Sequence, residues 1–126
     1  MATISFTAEH VATHVEDFTD TFRVYGVYFE AGDPEAGGES WNFTRSFEDD
    51  DGVCTVREVQ RATLYDGIQA LTLSRSRLVC TFEPDCQTLA GCAHLEIQLD
   101  VDDATWEKVA QMMDTVCSGK AFYRRN

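Results

Sequence analysis

Residues 65–82, YDGIQALTLSRSRLVCTF, decide how the rest of the chain is read. Leu71 and Leu73 alternate with polar neighbours, a polar stretch from Ser74 to Arg77 follows, and Leu78, Cys80 and Phe82 alternate in their turn. Period two is the mark of a half-buried strand, so the stretch predicts a β-hairpin. Whether the loop has two residues or four, Leu73 falls opposite Leu78 and Leu71 opposite Cys80, which places the apolar side chains of both arms on one face. That face needs a cover. Trp106, Val109, Ala110, Met113 and Val116 recur at helical spacing, and the apolar stripe they form is the expected lid. Asp102 stands where an N-cap belongs, Asp103 and Glu107 suit the positive end of a helix dipole, and Gly119 with Lys120 supplies a stop, so the helix is predicted from about Asp103 to Ser118.

Outward from the hairpin, alternation predicts more strands. Ile4 and Phe6 share one parity and Val11, Thr13 and Val15 the other, so a bulge is expected near residues 8–10. In FRVYGVYFEAG, Phe22, Val24, Gly26 and Tyr28 fall on one face and Tyr25, Val27 and Phe29 on the other, which predicts a strand covered on both sides. Residues 32–39, with three glycines and Pro34, make a loop that carries Asp33, Glu35 and Glu39. A short strand at Trp41 to Arg45 is followed by Glu48, Asp49, Asp50, Asp51 and Gly52, an acidic run whose desolvation cost keeps it in an exposed turn. Val53 to Thr63 reads as one long strand with Arg57, Glu58 and Arg61 on a solvated face. Cys86 to Ala90 suggests a helical turn ended by Gly91, and Leu95, Ile97 and Leu99 the inward side of a last strand. The expectation is a single α+β domain spanning residues 1–126, an antiparallel β-sheet of about six strands with one C-terminal helix packed on one face.

The 126 residues suffice for one hydrophobic core without a disulfide or metal staple. Charge is the unusual feature. Twenty-two acids against ten bases give a net charge of −12, and residues 1–52 hold twelve of the acids with only Arg23 and Arg45. Such a field repels nucleic acid and anionic membranes and draws in cationic partners. No stretch has the length of apolar sequence a membrane span needs, and residues 1–10 lack the pattern of a secretory signal. Five cysteines, an odd number, fit reduced thiols in a cytoplasmic protein, with Cys54 and Cys80 on strand patterns as core fillers.

Motifs for chemistry are few. Cys80, Cys86, Cys92 and His94 are thiolate and imidazole ligands of the kind zinc takes, but five residues separate each pair of successive cysteines, wider than a zinc knuckle allows. A small metal- or ligand-binding module using Cys86, Cys92 and His94 is the alternative reading. His10 and His14 in HVATH lack the glutamate of a zinc protease and fall on a strand, where solvated histidines are expected. The acidic run lacks the alternating ligands and closing glutamate of a calcium loop. There is no nucleophile elbow and no phosphate-binding glycine loop. No catalytic residue, metal or cofactor is expected, and the chain reads as a non-enzymatic protein.

The stretches FTAEHV, YGVYFE, SWNFTRSFE, YDGIQALTLSRSRLVCTF and LEIQLDVDDATWEKVAQMM, in that order, resemble the immunity protein 10 family of bacterial polymorphic toxin systems. Arg45-Ser46 after the third strand and Asp66-Gly67-Ile68 before the hairpin are the more distinctive residues. The resemblance covers most of the chain and implies a cytoplasmic protein that binds and neutralises a cognate toxin domain; the many cysteines and a glycine-rich insertion around Asp33 to Glu39 depart from the family pattern. A basic toxin surface would be met by carboxylates standing where phosphates sit. The expected partner-binding residues are therefore Asp33, Glu35 and Glu39 of the glycine loop and Glu48, Asp49, Asp50 and Asp51 of the acidic turn, with Trp41 either an aromatic anchor or a core residue.

Overall fold

The computed structural model describes residues 2–20, 22–48, 50, 52–58 and 62–126. Within them the chain forms β1 (Thr3–Ala8), β2 (His10–Thr19), β3 (Phe22–Ala31), β4 (Glu39–Arg45), β5 (Cys54–Arg57), β6 (Ala62–Tyr65), β7 (Ile68–Ser74), β8 (Arg77–Phe82), a short helix α1 (Gln87–Ala90), β9 (His94–Leu99), the helix α2 (Asp103–Val116) and β10 (Tyr123–Arg125). The class is α+β and the pairing mostly antiparallel. The strands form two sheets of five, however, in place of the single sheet of about six that alternation suggests. One sheet has the order β1-β9-β8-β7-β10 and the other is the antiparallel meander β2-β3-β4-β5-β6. Among the described residues only β1 beside β9 and β10 beside β7 run parallel.

The parity change near residue 9 explains the missing sheet. Ile4, Phe6 and Ala8 stand level with Leu95, Ile97 and Leu99 in one layer, while Val11 and Thr13 stand level with Phe29 and Val27 in the other. The chain turns a corner there and changes sheets, with Glu9 N–H donating to the Glu30 carbonyl at 2.8 Å. A bend that hands a strand from one layer to the next leaves the same sequence trace as a bulge within one strand. A second corner at Asp66 and Gly67 carries β6 into β7, and Asp66 adopts a left-handed φ of 55° to make it.

The hairpin register is the predicted one: Leu71 pairs with Cys80, Leu73 with Leu78, and Ser74 with Arg77 around a two-residue turn. All four apolar residues are fully buried. Their cover is chiefly the second sheet, whose Trp41 stacks on Phe82 with centroids 5.8 Å apart. α2 instead packs against β2, β3 and β4. Its stripe still does what the spacing predicts, because Val109, Ala110, Met113 and Val116 are buried, and the Asp102 carboxylate accepts the Thr105 N–H at 2.7 Å as N-cap. The side chains of both sheets and α2 belong to one hydrophobic cluster, in which each fully buried large apolar side chain contributes about 1.5–3 kcal/mol.

Two strand assignments change. The stretch from Val53 to Thr63 is a hairpin, β5 against β6, with Cys54 opposite Tyr65 and Arg57 opposite Ala62; Val59 and Arg61 lie outside the described residues. Arg57 points inward and is 6% exposed, because it shares its face with Thr55 and a carboxylate waits for it there. β9 is not the last strand: β10 lies along β7, too short and too charged to show alternation.

Candidate functional site

Strand β4 sorts the carboxylates expected to meet a partner. Glu39 begins it and Arg45 ends it, so the glycine loop and the acidic turn sit at opposite ends of a seven-residue strand, roughly 20 Å apart at the usual rise. They do not converge. At the glycine-loop end, Asp33 caps the 3-10 turn Pro34–Ala36 by accepting the Glu35 N–H at 3.0 Å, and both side chains are exposed. Glu39 is turned inward. It accepts Arg57 Nε at 3.1 Å and Nη2 at 2.9 Å, and also the Trp41 indole N–H at 2.9 Å. Trp41 itself is fully buried, its ring stacked on Phe82 and 5.3 Å from the Arg57 guanidinium. A buried ring offers a partner nothing, so Trp41 is a core residue and not the anchor.

At the other end Asp50 receives Arg45 Nε at 3.0 Å and Nη2 at 2.9 Å. That contact, with the Gly52 N–H as second donor, holds the Asp50 carboxyl below its ordinary range. Asp49 and Asp51 lie outside the described residues. Glu48 is exposed and kept ionised chiefly by its own backbone N–H, with help from Arg23 and Ser46. Of the described carboxylates expected at the interface, Glu39 and Asp50 are thus already matched by buried arginines, and no single electronegative patch unites them.

What the fold does assemble lies at the Arg45 end of the meander. Because β2 to β6 alternate in direction, the β2–β3 turn, the β4–β5 turn and the β6–β7 corner come together there. They bring Glu48, Asp50 and Asp66 to the same end of the sheet as Asp17, which stands on the opposite edge strand from Asp66 and whose bond to Arg23 at 2.6 Å lowers its carboxyl pKa. Lys120 reaches Asp66 at 3.4 Å. Gly52 has a φ of 84°, and a Cβ there would stand 2.5 Å from the Asp66 carboxyl carbon, so the two turns touch through a glycine.

Within this rim two aromatic rings are open to solvent: Tyr65, 65% exposed, and Phe47, 44% exposed. Phe47 is held edge-on to Tyr25 at 5.9 Å, with the Arg45 guanidinium 4.5 Å from its centroid. Beside Tyr65 a groove of about 280 Å³ opens on the outer face of the meander, lined by Phe22, Val24, Thr44, Cys54 and Tyr65 among others. These are outward residues of β3, β4, β5 and β6. Cys54 is therefore half-buried on the outer face and does not fill the core. The same outer face continues into a polar stripe, where His14 Nε2 donates to the Asn42 amide oxygen at 3.0 Å and lies so close over Gly26 that a Cβ there would overlap its ring.

Sequence reasoning missed the aromatic pair. Its signal was present: Phe47 follows directly on Arg45-Ser46, and Tyr65 holds the outward parity of β6 just before Asp66-Gly67. Reading residues 53–63 as one strand ended at Thr63 and left Tyr65 attached to the hairpin.

The cysteine and histidine set is spread over different environments. Cys80 and Cys92 are fully buried, and burial pushes the Cys92 thiol up to about 11. Cys86 is half-buried, and His94 is exposed on the outer face of its sheet, with Nδ1 3.0 Å from the Thr81 hydroxyl. Among the described residues no three histidine, cysteine or acidic side chains gather as metal ligands. No helix among the described residues is long and apolar enough to cross a membrane. Comparison with protein-family models, with curated proteins and with solved structures finds no match.

Proposed function

We propose that this chain is a non-enzymatic immunity protein of the cytoplasm, which binds a cationic toxin domain at the Arg45 end of the meander and so neutralises it. The observation that carries the reading is the groove beside exposed Tyr65, with exposed Phe47 in the neighbouring β4–β5 turn, at the end of the meander that also holds Glu48, Asp50, Asp17 and Asp66. Aromatic anchors ringed by polar side chains are the usual anatomy of a binding hot spot, and acidic rims raise encounter rates with basic partners. Resemblance to the immunity protein 10 family supports the same class of partner. The glycine loop with Asp33 and Glu35 lies at the far end and takes no part in this contact, and Trp41 serves only the core.

The test takes as partner any toxin domain that a neighbouring reading frame encodes. Tyr65→Ala and Phe47→Ala should each cost at least about 2 kcal/mol of binding, read by calorimetry as a dissociation constant raised roughly thirtyfold. Glu48→Gln should act mainly on the association rate and blunt its dependence on salt. If cells expressing the toxin grow equally well with the Tyr65→Ala, Phe47→Ala and Glu48→Gln variants as with the parent, the Arg45 end is not the contact. If the parent protein gives no protection at all, the immunity reading is wrong.

A further inference from the structure

Four strands border the two sheets, and three of them are guarded. β2 has α2 against it and carries a register shift between Asp17 and Thr19. β6 is four residues long and has α1 against it. β10 is three residues long and bears Arg124 and Arg125. Short length, bulges, charges and covering helices are the devices by which natural edges avoid pairing with other chains.

β1 has none of them. It is six residues, Thr-Ile-Ser-Phe-Thr-Ala, without charge, proline or register shift, and it is hydrogen-bonded in its sheet to β9 alone. Thr3, Ser5 and Thr7 are exposed on the outer face, while Ile4 and Phe6 on the inner side are only half-buried. Its neutrality on a chain of charge −12 decides between occupants. A cationic partner gains nothing from an edge without carboxylates, whereas a second copy meets no like charge there.

We infer that β1 pairs antiparallel with β1 of a second copy about a two-fold axis through Ser5, joining two five-stranded sheets into one continuous sheet. This register sets Thr3 opposite Thr7 of the other copy and Ile4 opposite Phe6, so hydroxyls pair outside and an aromatic meets a β-branched side chain inside, both favourable cross-strand combinations. It also keeps every outward residue outward, which a one-residue shift would not. The interface is small, so the dimer is weak and depends on concentration. Repulsion between the acidic bodies is screened over a Debye length of about 8 Å at physiological salt, so added salt tightens it. Toxin binding by the acidic rim responds to salt in the opposite direction.

Sedimentation velocity on the full chain over a concentration series tests the inference. Thr3 stands level with His94 and Thr7 with Gln98, so aspartate at either position faces no acid directly across the strand pair within its own chain. The parent should show a monomer–dimer equilibrium strengthened by salt. Thr3→Asp with Thr7→Asp sets acid against acid twice and should leave only monomer, with an unchanged circular dichroism spectrum. Thr3→Lys with Thr7→Asp sets lysine against aspartate twice and should restore the dimer. A parent that stays monomeric at the highest concentration, a double-aspartate variant that dimerises like the parent, or a folded lysine–aspartate variant that stays monomeric would each overturn it.

Discussion

The two ends of β4 carry the same device in different surroundings. At one end buried Arg57 donates from Nη1 to the Ala90 carbonyl at the close of α1 and grips Glu39 with its remaining nitrogens. At the other, buried Arg45 donates from Nη1 to the Val116 and Ser118 carbonyls at the close of α2 and grips Asp50. In each case a guanidinium satisfies carbonyls that a helix terminus leaves without partners, and a carboxylate balances the charge. The difference lies in the carboxylate: the Glu39 side chain is 19% exposed and that of Asp50 is 41% exposed. The Glu39 end is sealed into the core under Trp41. The Asp50 end opens onto Phe47 and the groove, so one arginine fastens only structure while the other also holds up the rim of the proposed contact.

That contrast can be broken by mutation. Arg57→Ala strands the nearly buried Glu39 without its partner, and should cost about 3–5 kcal/mol in a denaturant titration. Arg45→Ala should cost less, about 2–3 kcal/mol, because water can reach Asp50 when the guanidinium leaves. Equal losses would show that the two ends are buried alike in solution.

Acid sharpens it further. Asp50 and Asp17 have pKa values below the ordinary 3.8, each held there first by its arginine. Below pH 3.8 the unfolded chain therefore binds more protons than the folded one, and the stability these pairs contribute, present in full above that value, is lost as pH falls through the folded pKa values. Asp50→Asn should flatten the fall of thermal midpoint with acid, and an unchanged slope would exclude the Arg45 pair as its source. The smallest effect is expected at the surface: Tyr65→Ala should leave stability within about 0.5 kcal/mol while binding suffers. A large loss of stability would make Tyr65 a packing residue.

Local patterns were legible where the partner of a side chain lay nearby in the chain. The Leu71–Cys80 and Leu73–Leu78 register, the Asp102 cap and the buried stripe of α2 depend on a turn, a first helical turn and a helical period, all contained in short stretches. Arg57 misled because its charge reads as solvent exposure. Nothing within a few residues announces that Glu39, eighteen positions earlier, and the Ala90 carbonyl, thirty-three later, will close around it. The acidic residues misled in the same way, since even spacing along the chain says nothing about which end of a meander each turn will occupy.

By itself, then, the sequence determined which residues lie on the inner face of β7, β8 and β9, where α2 begins, and that the chain is acidic, because alternation, capping and composition act over a few residues or over none. Tertiary structure alone decided that the strands divide into two sheets and which carboxylates are spent on buried arginines. It also decided that Tyr65 borders a groove built by residues of four strands. Those outcomes depend on corners at Glu9 and Asp66 that fold distant segments together, and no local preference encodes the meeting of side chains brought in by separate strands.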